Sequence, residues 1–297
     1  MAAHPAKPDA SLSAFLADAE AGHAAQPAAT LRALQARAPA LPPGADACHA
    51  LRLAEHVALA HLGDTAGLAA FAAALPEALG AHADTAAAIT RLHWVLDTAR
   101  GMPAGSAPPD AVRWHALQNL VLALAWQGRC EAASALLAAD EEAARAHGSS
   151  DAGVAYAVSA NNVALDLQMG GPRSAAHDAL MLRAATIARR AWAHAGTWRH
   201  VERAEYRLAW CHAVAGQGAA AVHHARLCLA GCQAAGDAAD AVEHFFAHEA
   251  LARAHSAAGD GGAVQAARAQ MAALLPQIDE ADGLRAWCAD TLAALPD

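Results

Sequence analysis

The sequence predicts an all-α fold of stacked antiparallel helix pairs, an α-solenoid, and three observations carry that expectation. Five times a helix-length apolar stretch runs into a glycine, with an alanine or small aliphatic residue five positions later. The clear copies are Leu120…Gly128…Ala133, Val163…Gly171…Ala176, Leu208…Gly216…Ala221 and Leu251…Gly259…Val264, with a fainter Val57…Gly63…Leu68 before them. Such self-similarity marks like units that stack, each covering its neighbour's apolar face. Hydrophobic residues make up 56 % of the 297 residues and most are alanine, while aromatics reach only 4 %. Alanine has the best helix propensity and lets backbones approach closely, which favours helix packed on helix. β-branched residues are sparse, and no stretch alternates apolar and polar residues as a strand would.

Taken in order, residues 1–10 are expected to be a disordered tail. A helix pair follows at Ser11–Gly22 and Ala28–Ala38, closed by the breaker Pro39-Ala40-Leu41-Pro42-Pro43-Gly44. Helices at 45–62 and 65–80 form the weak first unit, and one at 84–100 leads into Gly101–Pro109, the most Pro- and Gly-dense internal segment. Residues 11–100 therefore read as an N-terminal helical cap with one weak repeat. Asp110 can cap what comes next. Helix pairs are then predicted at 110–127 with 130–147, 151–169 with 172–195, 197–214 with 218–235, and 238–257 with 261–275. Their turns hold Gly-Arg, Gly-Gly-Pro, Gly-Gln-Gly and Gly-Asp-Gly-Gly, which end one helix and start another. A last helix at 281–294 would cap the array of 110–297.

The four clear glycines lie 43 to 45 residues apart, with two helices per unit. Around the central position stand Asn119-Leu120-Val121, Asn162-Val163-Ala164, Arg207-Leu208-Ala209 and Ala250-Leu251-Ala252, and the later small position is Ala133, Ala176, Ala221 and Val264. On these residues the chain resembles the tetratricopeptide repeat family, with its W-x₂-L-G-x₂-Y…A-x₃-F pattern. The match covers 110–275 well and 45–80 poorly. The family's Trp and Tyr positions are mostly replaced, with His212 and His255 in the Tyr slot, and each unit is longer by about two helical turns. Long-unit tetratricopeptide-like arrays, as in kinesin light chains and bacterial peptide-sensing regulators, are the nearer comparison. The resemblance implies a right-handed α-solenoid whose first helices line a concave surface. A plain alanine-rich helical bundle also fits, since glycine between amphipathic helices is common.

Counting back from each glycine by that pattern gives the inward positions. They are His115, Gln118, Asn119, Leu122 and Trp126, then Val158, Asn161, Asn162, Leu165 and Gln168, then Arg203, Tyr206, Arg207 and Trp210, then Phe246, Glu249 and Arg253. Amides can bond a peptide backbone whatever its sequence, guanidinium groups hold carboxylates by two parallel bonds, and Trp and Tyr are flat apolar anchors. The expectation is an interaction module that binds a peptide segment of another protein, with an acidic group near Arg203 and Arg207. The candidate peptide-binding residues are Asn119, Asn161, Asn162, Arg203, Tyr206, Arg207, Trp210 and Arg253. In peptide-clamping members of the family an Asn before the central Leu binds the ligand's carboxylate or backbone, a role the resemblance would give Asn119 and Asn162. Asn there can equally serve helix packing, and the stripe Arg199, Arg203, Arg207 can equally be a solvated face. The runner-up is a regulatory sensor whose groove takes a small peptide or metabolite.

Other classes find less support. Net charge is −9, which argues against nucleic acid. Residues Met1–Asp9 lack a signal-peptide pattern and no window reads as a membrane span, so a cytoplasmic protein without a membrane partner is expected. Six scattered cysteines read as free thiols rather than a disulfide framework. His224, Cys228 and Cys232 share a helical stripe, as do His244 and His248, but no C-x₂-C pair accompanies them. His248-Glu249 fails the H-E-x-x-H pattern at Ala252, and the inverted form from His244 fails at Ala247. No phosphate-cradling glycine loop or nucleophile elbow is present. No metal, cofactor or catalytic residue is predicted, and an enzyme or metal-binding protein without a recognisable motif is the third reading.

Overall fold

The computed structural model describes residues 11–103, 105–170 and 173–295. The tail expected at 1–10 and the repeat glycine Gly171 therefore lie outside the described residues. Among the described residues there are helices and no strand, helices consecutive in the chain pack as neighbours, and no helix is long and apolar enough to cross a membrane. The chain divides into two compact units, Met1–Ala133 and Ser134–Asp297.

The first unit holds α1 (Leu12–Gly22), α2 (Pro27–Arg37), α3 (Ala45–His56), α4 (Thr65–Ala73), α5 (Ala83–Arg100) and α6 (Asp110–Trp126). Ser11 caps α1 by accepting from the Ala14 amide, Pro27 opens α2 at its first turn, and Asp64 caps α4 through the Gly67 amide at 2.7 Å. α3 runs on into a single π turn, Val57–His61, with Val57, Ala58 and Leu59 wholly buried. The helix expected at 65–80 stops at Ala73, because Pro76 cannot donate to a continuing helix; a short 3₁₀ segment, Glu77–Ala81, follows.

α6 belongs to the first unit. It packs on α5 and on the π turn, burying Trp114, Leu117, Leu120 and Val121, and Trp126 Nε1 donates to the Ala60 carbonyl at 2.5 Å. The division between units falls within α7 (Cys130–Ala139). Each fully buried Leu or Val contributes about 1.5–3 kcal/mol, and that burial assigns α6 to this unit.

A carboxylate sits in the middle of this core. Glu55 on α3 is 0 % exposed and accepts from both ends of the Arg91 guanidinium, at 2.5 and 2.9 Å, and from Asn119 Nδ2 at 2.8 Å. Burial raises its pKa above the ordinary carboxylate value, and the Arg91 charge opposes that shift.

The second unit continues with α8 (Glu141–His147), α9 (Asp151–Met169), α10 (Ala175–Ala195), α11 (Trp198–Val214), α12 (Gly218–Ala235), α13 (Ala241–Ala258), α14 (Gly261–Leu274) and α15 (Leu284–Ala293). α7 and α8 replace the single helix expected at 130–147, since Asp140 between them leaves helical geometry. Capping boxes open α10 at Ser174, α11 at Thr197 and α13 at Asp240. Gly216 and Gly259 take left-handed conformations at φ 71° and 75°, which ends α11 and α13 as the repeat requires. At Gly218 a Cβ would lie 2.6 Å from the Ala258 Cα, so only glycine lets α12 start against the end of α13.

Three of the four small repeat positions, Ala133, Ala221 and Val264, are buried. Ala176 is exposed: its helix begins only after the Ser174 cap, four residues past the repeat glycine instead of two, and the buried positions move on to Leu180 and Met181. Besides chain neighbours, α11 packs on both α9 and α13, so the first helices of successive pairs lie side by side.

Arg91→Met strands the Glu55 charge in the core and is expected to cost the first unit about 3–5 kcal/mol. Native-state hydrogen exchange of α3 and α6 amides reads this directly. A Glu55→Met/Arg91→Met double variant should recover most of the loss; an equal loss in the double variant would assign it to packing alone.

Candidate functional site

α9, α11, α13 and α15 of the second unit each turn one stripe toward a common space. Asn161, Leu165 and Met169 recur every four residues on α9, and Arg203, Tyr206, Arg207 and Trp210 follow i, i+3, i+4, i+7 on α11. Val242 and Phe246 come from α13, and Leu284 and Trp287 from α15. Together with Glu202 and Glu243 they line a cavity of about 570 Å³.

One wall is a run of rings. Trp287 tilts on Phe246 at 5.2 Å, Phe246 meets Tyr206 edge-on at 6.3 Å, and Tyr206 meets Trp210 edge-on at 5.7 Å. Beyond them the Arg253 guanidinium lies 4.1 Å from the Trp210 ring centre. Glu249, 1 % exposed, ties the wall together: it accepts from the Tyr206 hydroxyl at 2.9 Å and from Arg253 Nε at 2.8 Å. Burial and the Glu249 charge hold the Tyr206 hydroxyl well above its ordinary pKa, so it stays a donor. Trp287 is 56 % exposed and Met169 68 %, leaving apolar surface at the rim.

The cationic groups are not equivalent. Arg207 donates from Nη1 to Gln168 Oε1 at 2.6 Å, while its buried Nε has no partner among the described residues. Arg203 is exposed and makes no hydrogen bond or ion pair among the described residues. The two carboxylates in the lining are already engaged. Glu243 accepts from Arg199 Nε at 2.8 Å, and Glu202 accepts from the Cys228 thiol at 2.8 Å, its own pKa raised by burial.

Of the eight candidates, Asn161, Arg203, Tyr206, Arg207 and Trp210 line this one cavity, and Arg253 joins through Trp210. Asn162 is outside the lining and accepts from Asn161 Nδ2 at 3.3 Å. Asn119 lies in the first unit, 7 % exposed, where it serves Glu55 and His56; a buried carboxylate had claimed its amide. Leu122, Gln168 and Glu249, also read as inward, are buried. Met169, Val242, Leu284 and Trp287 were not anticipated. α15 had been read only as a cap, and nothing in its own pattern marks Leu284 and Trp287 as facing another helix's stripe.

The His224, Cys228, Cys232 stripe does not assemble as a set of metal ligands. His224 Nδ1 bonds Glu205 Oε2 at 2.7 Å while Cys228 turns to Glu202. Burial and the Glu202 charge push both thiols up, Cys232 to about 12 and Cys228 further. No known protein family and no curated protein matches this sequence.

Native protein treated with iodoacetamide at about pH 8 should leave Cys228 and Cys232 unmodified while half-buried Cys48 reacts, as read by peptide mass mapping. Labelling of Cys228 ahead of Cys48 would contradict the buried-thiol geometry.

Proposed function

We infer that the second unit is a tetratricopeptide-like, right-handed helical array whose groove binds a peptide segment of another protein, without covalent chemistry. One observation carries this reading: residues from three separate predicted units meet in a single cavity that combines an aromatic wall with the exposed guanidinium of Arg203, which faces the Glu202 charge but makes no hydrogen bond among the described residues. Such a cavity suits a segment that offers an apolar or aromatic side chain to Phe246, Tyr206 and Trp210 and a carboxylate to Arg203. Asn161 supplies an amide for the segment's backbone, and the orphaned Nε of Arg207 supplies one further donor. The free thiols fit a cytoplasmic setting.

The size of the cavity favours a second reading. About 570 Å³ is within the range of small-ligand pockets. A short peptide or a carboxylate metabolite could then act as the signal of a regulatory sensor. Both readings use the same residues and differ in what lies beyond the rim.

Arg203 tests the assignment more cleanly than Arg207, because Arg207→Ala would also strip buried Gln168 of its partner. Peptides selected on the full chain from a random library are expected to be enriched in an acidic residue near an aromatic one. Arg203→Ala should weaken the best of them by about 1.5–3 kcal/mol, roughly 10- to 100-fold by calorimetry, with helical content unchanged. Selected peptides without acidic enrichment, bound equally by the variant, would remove Arg203 from the site. Trp210→Ala should cost a similar factor through the lost ring, with Arg253 still held by Glu249.

A further inference from the structure

The first unit carries an unrelated cluster. His23 is the residue just past α1, His56 ends α3, and His61 ends the π turn. Their ring centres lie 4.9 to 5.2 Å apart, and one nitrogen from each ring falls within 4.8 Å of the other two. On an α-helix, residues five apart point about 140° away from each other. The i→i+5 bonding of the π turn winds wider, which brings His61 round to His56.

The hydrogen bonds behind the rings set their tautomers. The Glu55 carboxylate, gripped by Arg91, accepts from Asn119 Nδ2, so the amide must present Oδ1 to the other side. There it lies 3.0 Å from His56 Nδ1, which must carry the proton, and Nε2 keeps its lone pair. His23 Nδ1 likewise donates to the Glu20 backbone carbonyl, which leaves its Nε2 as the lone-pair nitrogen. Metal-binding histidines are characteristically held in this way, with the far N–H tied to a carbonyl or carboxylate. His56 Nε2 and His61 Nε2 are 3.2 Å apart. A tetrahedral zinc with Zn–N bonds of about 2.0–2.1 Å requires a separation of about 3.3 Å between ligand nitrogens.

A side of the cluster stays open. His23 and His56 form part of the wall of a cavity of about 630 Å³ that also holds Glu20, Asp46 and His49. Arg52 lies in the same wall and Glu20 pairs with His49 at 2.8 Å, and the volume leaves room for water on the metal.

We propose that His23, His56 and His61 form a three-histidine site for a zinc-type divalent cation, with its fourth coordination position open to the cavity for water or an exchangeable ligand. Asn119 acts as a positioning residue through the His56 tautomer. This site is independent of the groove in the second unit.

The test uses the full chain stripped with a chelator and titrated with zinc by calorimetry, then with cobalt(II) for its visible spectrum. One equivalent of zinc should bind, and cobalt should show the intense bands of four- or five-coordinate geometry. His23→Gln and His61→Gln should each weaken zinc by about 100-fold or more, and Asn119→Ala by about 10- to 100-fold with all three rings in place. His93→Gln, which removes an exposed ring of α5 outside both the cluster and the cavity, should leave affinity unchanged. His23→Gln alters a half-buried helix end and circular dichroism checks its fold, so loss of binding there is not loss of structure. If the wild-type chain takes up no zinc, the cluster is a histidine–histidine hydrogen bond and the proposal fails. Zinc binding that survives both His23→Gln and His61→Gln puts the ion elsewhere and fails it equally.

Discussion

Helices that meet through alanine are free to slide, because a face of methyl groups offers few knobs and holes to choose a register. In this protein the register comes from buried carboxylates, each satisfied from a different helix. Glu205 on α11 takes Arg189 from α10 and His224 from α12; Glu202 on the same helix takes Cys228 from α12. Glu243 and Glu249 on α13 take Arg199 and Tyr206 from α11, and Glu55 on α3 takes Arg91 from α5 and Asn119 from α6. A slip of one helical turn would break each of these bonds between helices, and leaving Glu55 or Glu205 buried without its arginine would cost several kcal/mol. The alanine faces supply the adhesion and the carboxylates choose among the ways of adhering.

The same contacts build the groove. Glu249 holds Tyr206 with one oxygen and Arg253 with the other, which fixes the edge-on rings and the guanidinium over Trp210. Gln168 does the same for Arg207. Side chains already fixed lose little freedom on binding, which is the main cost a flexible pocket would bear. The first unit follows the same logic: Arg91 orients Glu55, Glu55 orients Asn119, and Asn119 decides which nitrogen of His56 carries the proton.

Much of this was legible in the sequence, and what was missed has physical causes. The glycine rhythm placed most helices of the second unit to within a few residues, since Gly216 and Gly259 must adopt left-handed conformations that end a helix. Counting back from Gly171 and Gly216 put Asn161, Arg203, Tyr206, Arg207 and Trp210 on one surface, and they line one cavity. Asn119 sits in the equivalent slot but faces a buried Glu, and a repeat pattern carries no information about what lies opposite. Ala176 went astray because a cap at Ser174 shifts the start of its helix. The histidine cluster was invisible for a related reason. A spacing of five means opposite faces under α-helical winding, and only the π turn reverses that.

The arginines sharpen the case for Arg203. Lys7 is the chain's lone lysine, so the cations here are nearly all guanidinium groups, whose forked donors suit fixed carboxylates. On α11 and α13 there are four: Arg199 is committed to Glu243, Arg207 to Gln168 and Arg253 to Glu249. Arg203 stands on the same face, one turn before Arg207 and one turn after Arg199, yet makes no such bond among the described residues. A solvated arginine on a polar face needs no explanation. One that opens onto a 570 Å³ cavity walled by four aromatic rings is different, because it sets a cation beside apolar surface in one space. The other three guanidinium groups on these two helices each have a hydrogen-bonding acceptor, whereas Arg203 feels only the Coulombic pull of Glu202 among the described residues, and the role proposed for it rests on that difference.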